Sequence, residues 1–318
     1  MDATRCNRRR FATACAVSAA GAMLATQRSA PLLAAIGAEA PRAERTVRLP
    51  DGTTVPALGQ GAWHLGQGRH PAATEEQAVR TGISLGMTLI DTSGNYGNGL
   101  SERFVGRVIA GQRPRIFLVS KVEADEVAGD GIARACAASL ARLGTDYLDL
   151  YLLHQPVPSS QFSGVVAAFE QLLAARKIRA WGVSNFNAGQ MEDLFRVPDG
   201  QRCATNQIPY SLNHRHIERD VLPWCTQHNV PVMAYSPLGG DRHLVVEDRT
   251  LAQIGAAHGC SAAAAALAWV IRSGKVIAIP ESGSLAHTRE NAAAFSVVLS
   301  QAELQRLAAA FPGPSGAT

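Results

Sequence analysis

Short β-branched or apolar runs recur along this chain roughly every 25–35 residues, the length of one strand-plus-helix unit, and each is followed by a helical period. They predict strands near Ala57–Gly61, Met87–Asp91, Ile116–Lys121, Leu148–His154, Ile178–Ser184, Ala204–Gln207, Pro231–Ser236 and Val276–Pro280. Eight strands alternating with helices specify an α/β fold, a (β/α)8 TIM barrel. Thr46-Val47-Arg48-Leu49, the turn Pro50-Asp51-Gly52 and Thr53-Thr54-Val55 predict an N-terminal β-hairpin ahead of it, because Asp-Gly between alternating segments favours a tight turn. Leu148 to Leu153 mixes alternation with a continuous apolar run, as a strand buried on both faces should.

Thr74-Glu75-Glu76-Gln77 and Ser300-Gln301-Ala302-Glu303 read as capping boxes. The structural competitor is a doubly wound open sheet. It lacks its fingerprint, since Gly59-Gln60-Gly61-Ala62-Trp63-His64 brings no third glycine in register to open a helix. A chain of 318 residues, 47% hydrophobic and 18% charged, is long enough for one large α/β domain and too apolar for disorder.

The N-terminus differs in kind. Asn7-Arg8-Arg9-Arg10-Phe11 precedes a weakly apolar, Ala-rich run from Ala12 to Ala25, the order of an export signal, and it resembles a twin-arginine signal. The run is too short and Ala-rich to predict a permanent anchor. Residues 1–40 are therefore expected to be an export signal and flexible leader that meets the twin-arginine machinery, with the barrel at 45–315. The protein would be periplasmic or secreted, or cytoplasmic if the leader does not function. Ala38-Glu39-Ala40 and Met23-Leu24-Ala25 are two candidate cleavage regions. Arg5, Arg8, Arg9, Arg10 and Arg28 lie in this leader against Asp2 and Glu39, so the net charge of +4 belongs mostly to it and marks no nucleic-acid footprint. Beyond it, Cys136, Cys203, Cys225 and Cys260 stand far apart with no C-x-x-C pair, which argues against a metal site or a redox dithiol. Cys136 and Cys203 sit in apolar contexts that suit core residues.

Polar residues at the C-terminal ends of barrel strands are the ones to question. Asp91 ends the second strand, with Tyr96 in the loop after it; Lys121 ends the third and His154 the fourth. Singly, each has a bland explanation: a loop cap, a packed phenol, a snorkelling lysine, a satisfied core histidine. Together, four titratable groups at the ends of three consecutive strands would converge on one mouth. A tyrosine ordinarily titrates near about 10, and a neighbouring ammonium favours its ionised form, which eases proton exchange at neutral pH. Asp91 would hold Lys121 charged and His154 would orient a carbonyl oxygen toward Tyr96. A hydride would have to come from a cofactor, since no side chain supplies one.

The series Gly59-Gln60-Gly61-Ala62-Trp63, Leu89-Ile90-Asp91-Thr92 with Tyr96-Gly97, Val119-Ser120-Lys121, Asp146 to His154, Trp181-Gly182-Val183-Ser184-Asn185-Phe186, Asn206-Gln207 and Ala234-Tyr235-Ser236-Pro237-Leu238 resembles the aldo-keto reductases, and among them bacterial members of the methylglyoxal reductase type. The resemblance runs from about Val47 to about Phe311. It implies reduction of small carbonyls, Tyr96 as general acid, Lys121 and Asp91 tuning it, and His154 with Trp63 positioning the substrate. It also implies a bound NADP(H). Ser184, Asn185 and Gln207 would hold the nicotinamide carboxamide, Tyr235 would stack on its ring, and Ser236 and Leu238 would follow in the same wall. Ser184-Asn185 could also cap the next helix, and Tyr235 could be a core aromatic.

The adenosine end is expected along Glu281, Ser282, His287, Arg289, Glu290 and Asn291. Glu281 stands where lysine is common in the family, and His287 where arginine is. A carboxylate repels a 2′-phosphate and accepts from a 2′-hydroxyl, so Glu281 makes NAD(H) a possible cofactor, while Arg289 and Ser282 still suit a phosphate. Gln155, where many members carry Trp, predicts a more open pocket for small or polar carbonyls. The rival readings are a cofactor-binding redox sensor or regulatory module with little turnover, and a glycosidase on the same barrel. The second would need two facing strand-end carboxylates, and Asp91 has no obvious partner. A monomer is the family expectation.

Overall fold

The computed structural model describes residues 45–240 and 245–314. The leader expectations, at 1–40, lie outside the described residues. β1 (Thr46–Arg48) and β2 (Thr54–Pro56) form the expected antiparallel hairpin, with Val47 opposite Val55. Both valines are buried while Thr46, Arg48 and Thr54 face solvent, the period-2 alternation of a strand with one apolar face. Gly52 takes φ +91° in the turn, and Asp51 Oδ1 accepts the Thr53 N–H at 2.8 Å. The hairpin sits at the N-terminal ends of the barrel strands, where Leu49, Thr53 and Pro56 share a groove with Thr88, Ile116, Asp149 and Arg179.

The barrel strands are β3 (Gln60–Gly61), β4 (Leu89–Asp91), β5 (Phe117–Val122), β6 (Leu148–Leu153), β7 (Ile178–Ser184), β8 (Asn206–Pro209), β9 (Val232–Tyr235) and β10 (Val276–Ala278). They pair in parallel in sequence order. The ring closes between first and last strand through bridges Leu58↔Ala278 and Gly61↔Glu281, with the Gly59 N–H donating to Ala278 O at 2.8 Å. This is the (β/α)8 barrel. The helices α1 (Ala72–Ser84), α2 (Leu100–Ile109), α3 (Gly131–Leu143), α4 (Phe162–Ala174), α5 (Ala188–Arg196), α6 (Val221–Gln227), α7 (Arg249–Ala257), α8 (Ala262–Val270), α9 (Leu285–Ala292) and α10 (Gln301–Ala310) follow the strands. Most strands are shorter than the apolar runs that announce them, because the barrel pairs only the central residues and lets the ends turn into loops.

Every residue of β6 is buried. Its one carboxylate, Asp149, lies at the start of the strand, accepts the Leu118 N–H at 2.9 Å and is ringed by Arg113 and Arg179 at 2.8 and 2.9 Å. Trp181 of β7 stacks on Phe169 of α4 with centroids 5.4 Å apart, and its indole N–H donates to Glu170 at 2.8 Å, so a large side chain is buried with its polar atom satisfied.

One expected capping box forms and one does not. Ser300 Oγ accepts the Glu303 N–H at 3.3 Å while Glu303 returns a bond to the Ser300 N–H at 2.7 Å. Thr74 to Gln77 do not open α1, which starts after Pro71 with no side-chain cap. Instead Glu75 turns inward and its Oε2 accepts the Gly66 N–H at 2.9 Å. Loop anchoring outcompetes helix capping for that carboxylate.

Candidate active site

Asp91 is the last residue of β4, and parallel pairing sets β5 beside it, so a side chain from Lys121 can reach across. Its ammonium is fully buried and makes three bonds: to Asp91 Oδ2 at 2.8 Å, to Thr92 O at 2.9 Å and to the Tyr96 hydroxyl oxygen at 3.1 Å. All three ammonium hydrogens thus have acceptors, the condition for burying a charge. Burial is the largest single influence and pulls the Lys121 pKa down, but the Asp91 charge, Tyr96 and the hydrogen bonds to both together outweigh it, and the result lies above the ordinary lysine value.

Tyr96 departs from the sequence expectation. Its burial raises the phenol pKa, the Lys121 cation opposes that, and the net shift is upward. The cation therefore does not make Tyr96 easy to ionise in the resting protein, because burial weighs more. Tyr96 instead keeps its proton through neutral pH.

His154 follows β6 directly and stands edge-on to Tyr96 with ring centroids 5.8 Å apart. Its Nδ1 is engaged by the Glu123 carboxylate, a partner that sequence reasoning missed. The signal was present in the register: Val122 pairs with Leu153, so the next residue of each strand, Glu123 and His154, comes level. With Nδ1 committed, Nε2 is the nitrogen left for a ligand.

The expected carboxamide-binding residues come together on the other side. Ser184 Oγ donates to Gln207 O at 2.8 Å, and Gln207 Nε2 donates to Asp91 Oδ1 at 2.8 Å, tying this group to the Asp91–Lys121–Tyr96 cluster. Asn185 takes φ +63° and reaches three ways: Nδ2 to His154 O at 3.2 Å and to Ser184 Oγ at 3.1 Å, and Oδ1 from the Tyr235 hydroxyl at 3.0 Å. Asparagine tolerates the left-handed region better than other side chains, which explains its use at this bend. The pair does not cap α5; Asn187 does, accepting the Gln190 N–H at 2.9 Å. Tyr235 is half-buried, and burial raises its phenol pKa.

A cleft of about 500 Å³ gathers Trp63, Asp91, Tyr96, His154, Gln155, Ser184, Asn185, Gln207, Tyr235, Ser236, Leu238 and Glu281 on its walls. Trp63 is 55% exposed and lies 6.4 Å from the Tyr96 ring. Glu281 is committed to His64: Oε2 accepts the His64 backbone N–H at 2.8 Å and Oε1 lies 2.9 Å from Nδ1. Ser282, His287, Arg289, Glu290 and Asn291 do not line this cleft. Ser282 Oγ bonds the Ser284 backbone, His287, Arg289 and Glu290 are exposed on α9, and Asn291 is buried on the same helix. Among the described residues no group of three His, Cys, Asp or Glu side chains could hold a metal ion. Cys136 and Cys203 are core residues, as expected, with burial pushing each thiol up to about 12.

The Aldo/keto reductase family model matches residues 57–311. Methylglyoxal reductase YeaE of Escherichia coli K12 is 46% identical over 278 residues, covering 86% of this chain and 98% of that protein. The aldo/keto reductase of Klebsiella pneumoniae, solved in complex with NADP and acetate, superposes with a TM-score of 0.82 at 44% identity over 86% of this chain and 98% of its own. A second Klebsiella pneumoniae aldo-keto reductase structure, in complex with NADPH, gives 0.81 at 44% identity with the same coverage. With its barrel, its strand-end cluster and these relatives, the chain belongs to the aldo/keto reductase family of oxidoreductases.

Proposed function

We propose that the protein reduces small aldehydes and ketones, methylglyoxal among them, with NADPH as hydride donor and Tyr96 as general acid. One observation carries the reading: a buried Lys121, charged against Asp91, meets the Tyr96 hydroxyl at 3.1 Å in a cleft also walled by His154 and Trp63. The relative named as a methylglyoxal reductase and the neighbours solved with NADP and NADPH support it.

The residues present fit a nicotinamide. Tyr235 offers a flat aromatic face at the cleft wall, and Ser184, Asn185 and Gln207 bring a hydroxyl and two amides beside it, a donor and acceptor set suited to a carboxamide. When bound, that cofactor supplies the hydride. Tyr96 accepts a hydrogen bond from Lys121, so its own O–H is free to donate to a carbonyl oxygen. As negative charge develops on that oxygen, Tyr96 gives up its proton, and the Lys121 cation stabilises the phenolate left behind. Asp91 keeps that cation in place. His154, its Nδ1 held by Glu123, presents Nε2 to the substrate, and Trp63 forms an apolar wall. Both Glu281 carboxylate oxygens are turned to His64, and the neighbours solved with NADP and NADPH support NADP(H).

The test is a fluorescence titration with NADPH and NADH, followed by methylglyoxal-dependent oxidation of NADPH. Tyr96→Phe is expected to bind NADPH as the wild type does and to turn over about 10²–10⁴-fold more slowly, the range for removing a general acid. Tight binding without turnover across a panel of aldehydes would sink the reductase reading in favour of a sensor module. We also propose export through the twin-arginine route, on the strength of Arg8-Arg9-Arg10-Phe11. Replacing Arg8 and Arg9 by lysine should then abolish export, and unchanged localisation would refute it.

A further inference from the structure

We propose that Glu281 is a positioning residue for Trp63: it acts through His64 to hold the indole over the mouth and so sets the preference for small carbonyls, and it does not read the cofactor. The inference rests on the reductase reading for its kinetic arm only.

The first ground is geometric. The loop that follows β3 leaves the barrel at its closing seam, where Gly61 bridges to Glu281 and the Gly61 N–H donates to Pro280 O at 3.0 Å. Glu281 extends that seam with its side chain. Both carboxylate oxygens are spent on one residue, the backbone N–H of His64 at 2.8 Å and its Nδ1 at 2.9 Å. A two-point contact of this kind fixes both the backbone and the ring of the residue it holds.

The second ground is what His64 carries. Its ring stacks on the Trp63 indole with centroids 4.2 Å apart and planes 28° from parallel. The indole is otherwise more than half exposed, and among the described residues its other aromatic neighbour, Tyr96, stands 6.4 Å away. So large a side chain with so little cover keeps one rotamer only if its platform is fixed.

The rest of the loop is built on the same plan. Two residues beyond His64, the Gly66 N–H is held by Glu75 at 2.9 Å, and just before Trp63 the Ser101 hydroxyl donates to Ala62 O at 2.5 Å. Carboxylates from opposite ends of the barrel sequence thus grip alternate backbone amides of one loop. Gly66 takes φ +76° against Phe104, with room for no Cβ, so the loop cannot relax by shifting there. Rigidity in this wall places the substrate's apolar group while Tyr96 addresses its oxygen.

The experiment compares wild type, Glu281→Gln, Glu281→Ala and His64→Ala, each also with Trp63→Phe so that the Trp63 emission is obtained by difference from the other tryptophans. Acrylamide quenching and anisotropy of that emission need no turnover. In Glu281→Ala and His64→Ala the Trp63 signal should become markedly more quenchable and less anisotropic, with Glu281→Gln between them. The KM for methylglyoxal should rise about tenfold in Glu281→Ala, with the ratio of NADPH to NADH affinity unchanged. On a Trp63→Ala background Glu281→Ala should add nothing further to KM. An unaltered Trp63 signal in Glu281→Ala would overturn the proposal, as would a tenfold change in the cofactor affinity ratio. If the wild type reduces no carbonyl, the function reading fails while the emission arm still decides this one.

Discussion

Two kinds of charged contact meet at this cleft, and they are built differently. Asp91 and Lys121 lie below it almost without exposure, at 4% and 0% of their side chains, whereas Glu281 and His64 at the rim keep 26% and 15%. Below the cleft every hydrogen of the ammonium is used, and desolvation is offset by three acceptors at once. At the rim a single pair suffices because water still solvates both partners. The buried cluster therefore fixes one cation in one place; the rim pair holds a loop and a ring in position.

That contrast can be broken most severely at Lys121. Lys121→Met leaves Asp91 buried without its cation, and we expect about 3–5 kcal/mol of lost stability together with loss of reductase turnover. Urea unfolding of the variant with circular dichroism checks the first, and a loss below 1 kcal/mol would contradict the buried-pair account.

A smaller effect should appear with alkali. Lys121 and Tyr96 have raised pKa values, and the Cys203 thiol is pushed from the ordinary 9.0 up to about 12. Each keeps its proton in the folded chain at a pH where the unfolded chain has released it. Their contribution is thus complete below the unfolded value and declines as pH rises, beginning near 9.0 with Cys203 and continuing toward about 12. The slope should be about 1 kcal/mol per pH unit for each such group. Stability measured at pH 8, 10 and 11 checks it, and a flat profile would refute it. Because Tyr96 is raised, turnover limited by its acid form should hold through neutral pH and fall only above about 10.

The smallest effect belongs to Glu123. Glu123→Gln keeps a neutral acceptor near His154 Nδ1 and removes the charge, so kcat/KM should fall about tenfold, the worth of one charge-assisted hydrogen bond at a partly buried site. Steady-state kinetics with Tyr96→Phe as reference measures it. A loss as large as that of Tyr96→Phe would place Glu123 in the buried class instead.

The barrel was legible because strands buried on both faces must be apolar over their length, as Leu148–Leu153 is, and because a polar residue ending such a run has few reasons to be there. Asp91, Lys121 and His154 stand out that way, and Tyr96 by its place in the loop that follows Asp91. Glu123 was not, since a glutamate one residue past a strand looks like any solvated loop residue until pairing with β6 sets it level with His154. The commitment of Glu281 to His64 joins residues 217 positions apart, which no local pattern encodes. The upward shift of Tyr96 depends on how deeply a loop residue is buried, and the start of α1 on whether Glu75 has a better use than capping. Each miss is a competition between local and tertiary partners, decided by the fold.

The first barrel strand, Gln60–Gly61, contributes two residues to a ring whose other members contribute three to seven. A ring yields at its thinnest joint, and here that joint carries the tryptophan wall directly above it. On warming, amides such as those of Gly59 and Gly61 should trade their hydrogens with solvent before those in the middle of β6, and the pocket would lose its shape while most of the barrel still stands. Heat inactivation in this molecule would then precede melting, beginning as the opening of a seam.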